Sequence, residues 1–151
     1  MGRGLDELVK RVQEMGRLKA EVGWQDTAKY LDSGVPVALV AQTHEFGSPA
    51  QRIPPRPFVR PTIAEEGANW SREMGRGVKA VVNGLRTPID VLQAVGELAA
   101  GDVRMIITQV NSPALKESTQ KSRSAKGFEP SKPLQETGEM RASCTSLVKE
   151  K

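Results

Sequence analysis

The sequence predicts an α+β fold: long helices joined as a helical hairpin, packed on a small antiparallel sheet, with an extended Pro-rich loop alongside. Three observations carry this. Apolar residues recur at helical spacing over two long segments, 62–82 and 88–110, separated only by a short turn. Two short segments, Ala20–Trp24 and Ala142–Val148, alternate in part and suit strands. Residues 44–61 hold five of the ten prolines, two of the three Phe, three arginines and the only His. Proline fixes φ near about −65° and removes a backbone donor, so this density excludes helix and central strand and predicts an ordered, extended loop.

Taken in order, Leu5, Leu8, Val9, Val12 and Met15 form the apolar stripe of an amphipathic packing helix, with Asp6, Glu7, Lys10, Arg11 and Glu14 between them. The strand at Ala20–Trp24 follows, then a turn over Asp26–Ser33 ending at Gly34. In Val35–Phe46, Pro36 at a first-turn position favours a helix, stopped by Gly47 and Pro49. After the loop, Thr62 with Glu65 has capping-box spacing, and Ile63, Gly67, Trp70, Met74, Val78, Val81 and Val82 form one stripe. Gly67, Gly75 and Gly77 each cost about 1 kcal/mol against Ala and suggest close helix packing. Asn83-Gly84 ends that helix. Thr87 as N-cap and Pro88 at the first helical position start the next, which runs through Val91, Leu92, Val95, Leu98, Ala99, Asp102, Val103, Ile106 and Val110. Leu115–Arg123 reads as a short helix and residues 122–133 as a flexible polar loop. Leu134–Arg141 reads as a tight turn and a helical turn before the last strand, on which Cys144 is a small residue.

The chain has 151 residues, which suits one domain, 1–151, with a small core. Apolar residues are 38% and aromatics 4%, lean enough that burial is expected to be completed in an oligomer. The net charge of +4 comes without a block of like charges, so nucleic-acid binding is not read from it. One cysteine excludes an internal disulfide, and no Cys/His cluster suits a metal. No apolar run reaches the length of a membrane span, and the N-terminus lacks the apolar core of a signal peptide. There is no phosphate loop, and Gly75-Arg76-Gly77 is too short a match to a dinucleotide fingerprint. With a single His and no paired carboxylates, neither an enzyme nor a cofactor is expected.

Two motifs rise above this background. Ala41-Gln42-Thr43-His44-Glu45-Phe46-Gly47, followed by Ile53-Pro54-Pro55-Arg56-Pro57-Phe58-Val59-Arg60-Pro61, resembles a signature of tailed-bacteriophage head–tail joining and tail-completion (neck) proteins. That family includes the lambda minor tail protein Z type and the phage virion morphogenesis type. Pro133-Leu134-Gln135-Glu136-Thr137-Gly138-Glu139-Met140-Arg141-Ala142-Ser143 is similar to a segment near the C-terminus of the same proteins, with Glu136 where Asp is commoner and Pro55 doubling a proline before Arg56. Ser118-Thr119 with Lys121 and Arg123 is similar to a third, shorter segment, and the order of all three agrees.

The resemblance implies a structural protein of the virion neck, assembled in the host cytoplasm. Such proteins form rings, commonly hexameric, between connector or adaptor and tail terminator or tail tube. DNA passes through the lumen without sequence-specific binding. The partner-binding residues it points to are Phe46, Arg52, Ile53, Pro54, Arg56, Pro57, Phe58, Arg60, Thr137, Gly138, Met140 and Arg141. The plainer reading makes Phe46 and Phe58 plugs of the subunit's own core. The alternative function is a DNA-binding accessory protein of phage assembly, with Lys116, Lys121, Arg123, Lys126 and Lys132 on phosphates.

Overall fold

The computed structural model describes residues 2–151. Among these, six helices and two strands run in the order α1 (Gly2–Arg17), β1 (Leu18–Gly23), α2 (Val37–Phe46), α3 (Val59–Val82), α4 (Pro88–Gln109), α5 (Glu117–Ala125), α6 (Glu139–Ala142) and β2 (Thr145–Glu150). The α+β class holds, with the long α3–α4 hairpin packed on a two-stranded antiparallel sheet. No helix of the described residues is long and apolar enough to cross a membrane. The chain forms two compact units.

The first unit comprises the chain through Val22, Glu65–Gly101 and Thr145–Lys151. Its strands are antiparallel because the start of one meets the end of the other. The Lys151 N–H donates to the Arg17 carbonyl at 2.9 Å, and Glu21 pairs with Lys149 across the strands. The start of α4 follows the expected chemistry. Thr87 Oγ1 accepts from the Asp90 N–H while the Asp90 carboxylate accepts from the Thr87 N–H, both at 3.2 Å, a reciprocal cap. A Cβ on Gly77 would lie 2.2 Å from a methyl of Val91, so α3 and α4 approach through this glycine. A Cβ on Gly96 would meet the Ser146 Cβ at 2.8 Å and the Ala20 Cβ at 3.5 Å, which is where the sheet lies on α4.

The close-packing expectation therefore falls on Gly77. Gly75 faces open space. The expected stripe on α3 is rotated: Gly77 and Val81 are buried, whereas Ile63, Val78 and Val82 are exposed. The α1 helix forms as expected, but Leu5, Val9 and Val12 are exposed. Leu8, Arg11 and Met15 form its more sheltered face.

The second unit comprises Gly23–Ala64 and Asp102–Cys144. Its core gathers Val37 and Ala41 of α2, Phe58, Thr62, Ile107, Leu134, Met140 and Cys144. The Trp24 and Phe58 rings stand perpendicular with centroids 5.8 Å apart, and the Trp24 indole N–H donates to the Met140 carbonyl at 2.7 Å. Pro36 precedes α2 as its N-cap residue, one place before the expected first-turn position. Gly47 ends the helix with φ +77°. A Cβ there would crowd Pro55 N at 2.9 Å and Ile53 O at 3.0 Å, so the position requires glycine for conformation and for space.

Four sequence expectations are corrected. The extended segment is shorter than 44–61: α2 keeps His44, Glu45 and Phe46, and α3 begins at Val59. Pro61 fits inside α3 because first-turn N–H groups have no helical partner. For the same reason Thr62 caps nothing, and its hydroxyl donates back to the Phe58 carbonyl. Residues 122–125 belong to α5, held by the buried side chain of Arg123. β2 begins at Thr145, since α6 takes up Glu139–Ala142, and Cys144 is a buried residue just before the strand.

Candidate functional site

The two motifs fold into one unit, and Glu45 is its pivot. The first N–H groups of a helix point outward without partners and carry partial positive charge. Glu45, at the end of α2, fills that role for α3. Its carboxylate accepts from the N–H of Phe58 at 2.7 Å, Val59 at 2.9 Å and Arg60 at 3.2 Å. It also accepts from Arg60 Nε at 2.8 Å, while Arg60 Nη2 donates to the Glu45 carbonyl at 2.9 Å. Only 4% of Glu45 is exposed. Burial would push this carboxyl up. The N–H groups of Phe58, Val59 and Arg60 and the Arg60 guanidinium outweigh it and hold the group below its ordinary value.

The Arg60 guanidinium lies 5.0 Å from the centre of the Phe46 ring. Phe46 itself is 62% exposed. The Glu-Phe-Gly of the first motif and its Phe-Val-Arg-Pro end are thus a helix, its turn and the start of the next helix, locked by one carboxylate.

Two buried arginines extend the clamp through backbone carbonyls. Arg56 donates to the carbonyls of Pro113 at 2.7 Å and Ala114 at 3.1 Å. Arg123 donates to the carbonyls of Lys132 at 2.7 Å and Pro133 at 3.1 Å, and its Nε lies 3.4 Å from the Glu136 carboxylate. A planar guanidinium with forked donors suits this work better than an ammonium. Gly138 takes φ +76° to start α6, and the Thr137 hydroxyl accepts from the Glu139 N–H at 3.3 Å.

These positions divide the expected partner-binding residues. Phe58, Arg56 and Met140 are buried in their own unit, where they serve its core and clamp. Phe58 sits where the plainer reading puts it, wholly buried in its own unit. Phe46, Arg52, Arg60, Thr137 and Arg141 are exposed, while Ile53, Pro54, Pro57 and Gly138 are partly covered. Phe46 is therefore a surface ring and not a plug. The proposed phosphate-binding set is also altered. Arg123 is buried on carbonyls, Lys121 pairs with Glu117 at 2.7 Å, and Lys126 lies 4.0 Å from Glu136. Glu45 was not singled out from the sequence. Its signal was a carboxylate at a helix end with a second helix starting beyond a proline loop.

A half-open groove of about 230 Å³ lies in the same unit, lined among others by Tyr30, Asp32, His44, Arg123, Glu136 and Thr137. His44 Nδ1 is buried there without a hydrogen-bond partner. Burial first, then the Arg56 and Arg123 guanidiniums, lower its pKa to about 4, so the imidazole is neutral near pH 7. Burial, with Glu139, Glu136 and Asp32, pushes the Tyr30 hydroxyl up to about 12. Comparison with family models, curated proteins and solved structures yields no match.

Proposed function

We propose that this chain is a structural protein of a tailed-phage virion, forming a ring, taken as hexameric, at the neck. There it joins connector or adaptor to the tail terminator or tail tube and lets DNA pass. One observation supports the reading above the others. The two motifs that resemble the neck family, far apart in the chain, fold into one unit, where α2 of the first meets α6 of the second and Phe58 of the first and Leu134 and Met140 of the second are buried. A motif held by such contacts specifies a body, and the exposed residues beside it, Phe46, Arg52 and Arg141, are left for partners.

The reading is tested in the phage that encodes the chain. Antibody against the chain should label virions at the head–tail junction by electron microscopy, and loss of the chain should leave filled heads and unattached tails. Unlabelled virions, with normal joining when the chain is lost, overturn it.

A further inference from the structure

We propose that the groove lined by Tyr30, Asp32, His44 and Glu136 receives the side chain of Arg52 from a second copy of this chain. The inference rests on the ring reading and names the contact that would build the ring.

The groove's chemistry selects a cation with several donors. Its wall carries acceptors, the Tyr30 hydroxyl and the Asp32 and Glu136 carboxylates, with Glu136 already beside Arg123 and Lys126, while the neutral imidazole of His44 adds no competing charge. The one guanidinium in the wall, Arg123, is already committed to two carbonyls and lies against Glu136. Glu139, nearby, accepts from the Leu31 N–H and the Thr137 hydroxyl. Asp32 is exposed and has no bonding partner among the described residues. An incoming anion would meet these carboxylates. A guanidinium brings five N–H donors and no acceptor. At about 230 Å³ the groove is below the usual range of small-molecule sites, roughly 300–1,000 Å³, and suits one long side chain.

The second half of the pair is a tight turn at the tip of the proline loop. Paired hydrogen bonds between Ser48 and Ile53, at 2.8 and 2.9 Å, close a turn over residues 49–52. Arg52 sits last in it with φ +56°, the one non-glycine residue in the left-handed region among those described. Glycine would occupy this position without strain. Arg52 is exposed, and no bonding partner for its guanidinium lies among the described residues. Strained residues kept at an exposed tip point to a use for the side chain. The tip and the groove share no residue, so one copy's tip in the next copy's groove is a head-to-tail contact, the kind that closes into rings.

The test is charge reversal on the purified chain, read by sedimentation. Arg52→Glu and Asp32→Arg, both at exposed positions, should each weaken self-association at least about tenfold, and the double variant should recover most of the loss. Arg52→Gly should weaken association while raising the melting temperature, which a purely structural role for the arginine would not produce. If Arg52→Glu associates like the natural chain, this contact is wrong while the neck reading stands. If the natural chain is monomeric at several hundred micromolar, the contact is also overturned, and virion labelling alone decides the neck reading.

Discussion

The unit that holds α2 and α6 is closed by polar groups on backbone atoms, whereas the unit that holds the sheet is closed by small residues. In the first, Glu45, Arg56 and Arg123 bind N–H groups and carbonyls of neighbouring loops and helix starts. In the second, Gly77 and Gly96 let elements approach until a single Cβ would not fit. The difference teaches where each is vulnerable. A polar clamp fails when a charge is removed or titrated. A glycine contact fails when volume is added, at any pH.

The largest expected effect tests whether the clamp is also a core. Phe58 is 0% exposed and packs perpendicular to the Trp24 ring. Phe58→Ala should cost about 4 kcal/mol from lost burial and the cavity left behind, read from the midpoint of denaturant unfolding. A cost below about 1 kcal/mol would mean that the ring is dispensable to its own unit and would reopen its reading as a partner anchor.

Glu45→Ala comes next, at about 3 kcal/mol, because it strands three helix N–H groups and the Arg60 guanidinium. The pH dependence has a definite sign. The folded pKa lies below the ordinary value, so the contribution is present above the unfolded pKa of about 4.3 and is lost as pH falls through the folded one. The gap between natural chain and variant should hold from pH 7 to pH 5 and narrow only in stronger acid. A gap that stays constant down to pH 2 would exclude the ionised carboxylate as the cap.

His44 probes the same unit at higher pH. Its folded pKa is lowered from 6.5 to about 4, so between these values the unfolded chain binds more protons and stability rises with pH. After allowing for the ring's partial exposure, the change should be about 2 kcal/mol, absent above pH 6.5 and complete near pH 4. His44→Gln should flatten that part of the profile. An unchanged slope would assign the pH dependence to other groups.

What the sequence made legible follows the same division. Helix identity, the Thr87–Pro88 start, the Asn83-Gly84 stop and the sheet's two strands could be read because local chemistry decides them. The helix face of α3 was misplaced because periodicity counts Ile63, Val78 and Val82 as core, while the contact with Val91 is made by a residue without a side chain. In the motif region the proline density marked a loop correctly. Its ends and its cap lay beyond reach, since they depend on the Glu45 carboxylate meeting α3 across 13 residues. The burial of Arg56 and Arg123 was equally hidden, because the carbonyls that hold them belong to loops with no pattern of their own.

The smallest effect separates the two kinds of closure most cleanly. Gly77→Ala should gain about 1 kcal/mol from helix propensity. It should lose about 2 kcal/mol from overpacking against Val91, whose branched side chain has little freedom to move aside. The net cost of about 1 kcal/mol should be the same at pH 7 and pH 5, since no titrating group takes part in the contact. Paired with Val91→Ala, which opens the space, the substitution should become neutral or stabilising, and the double-mutant cycle reads this directly. If Gly77→Ala alone is stabilising, the hairpin does not close through this glycine, and the contrast with the polar clamp loses its second half.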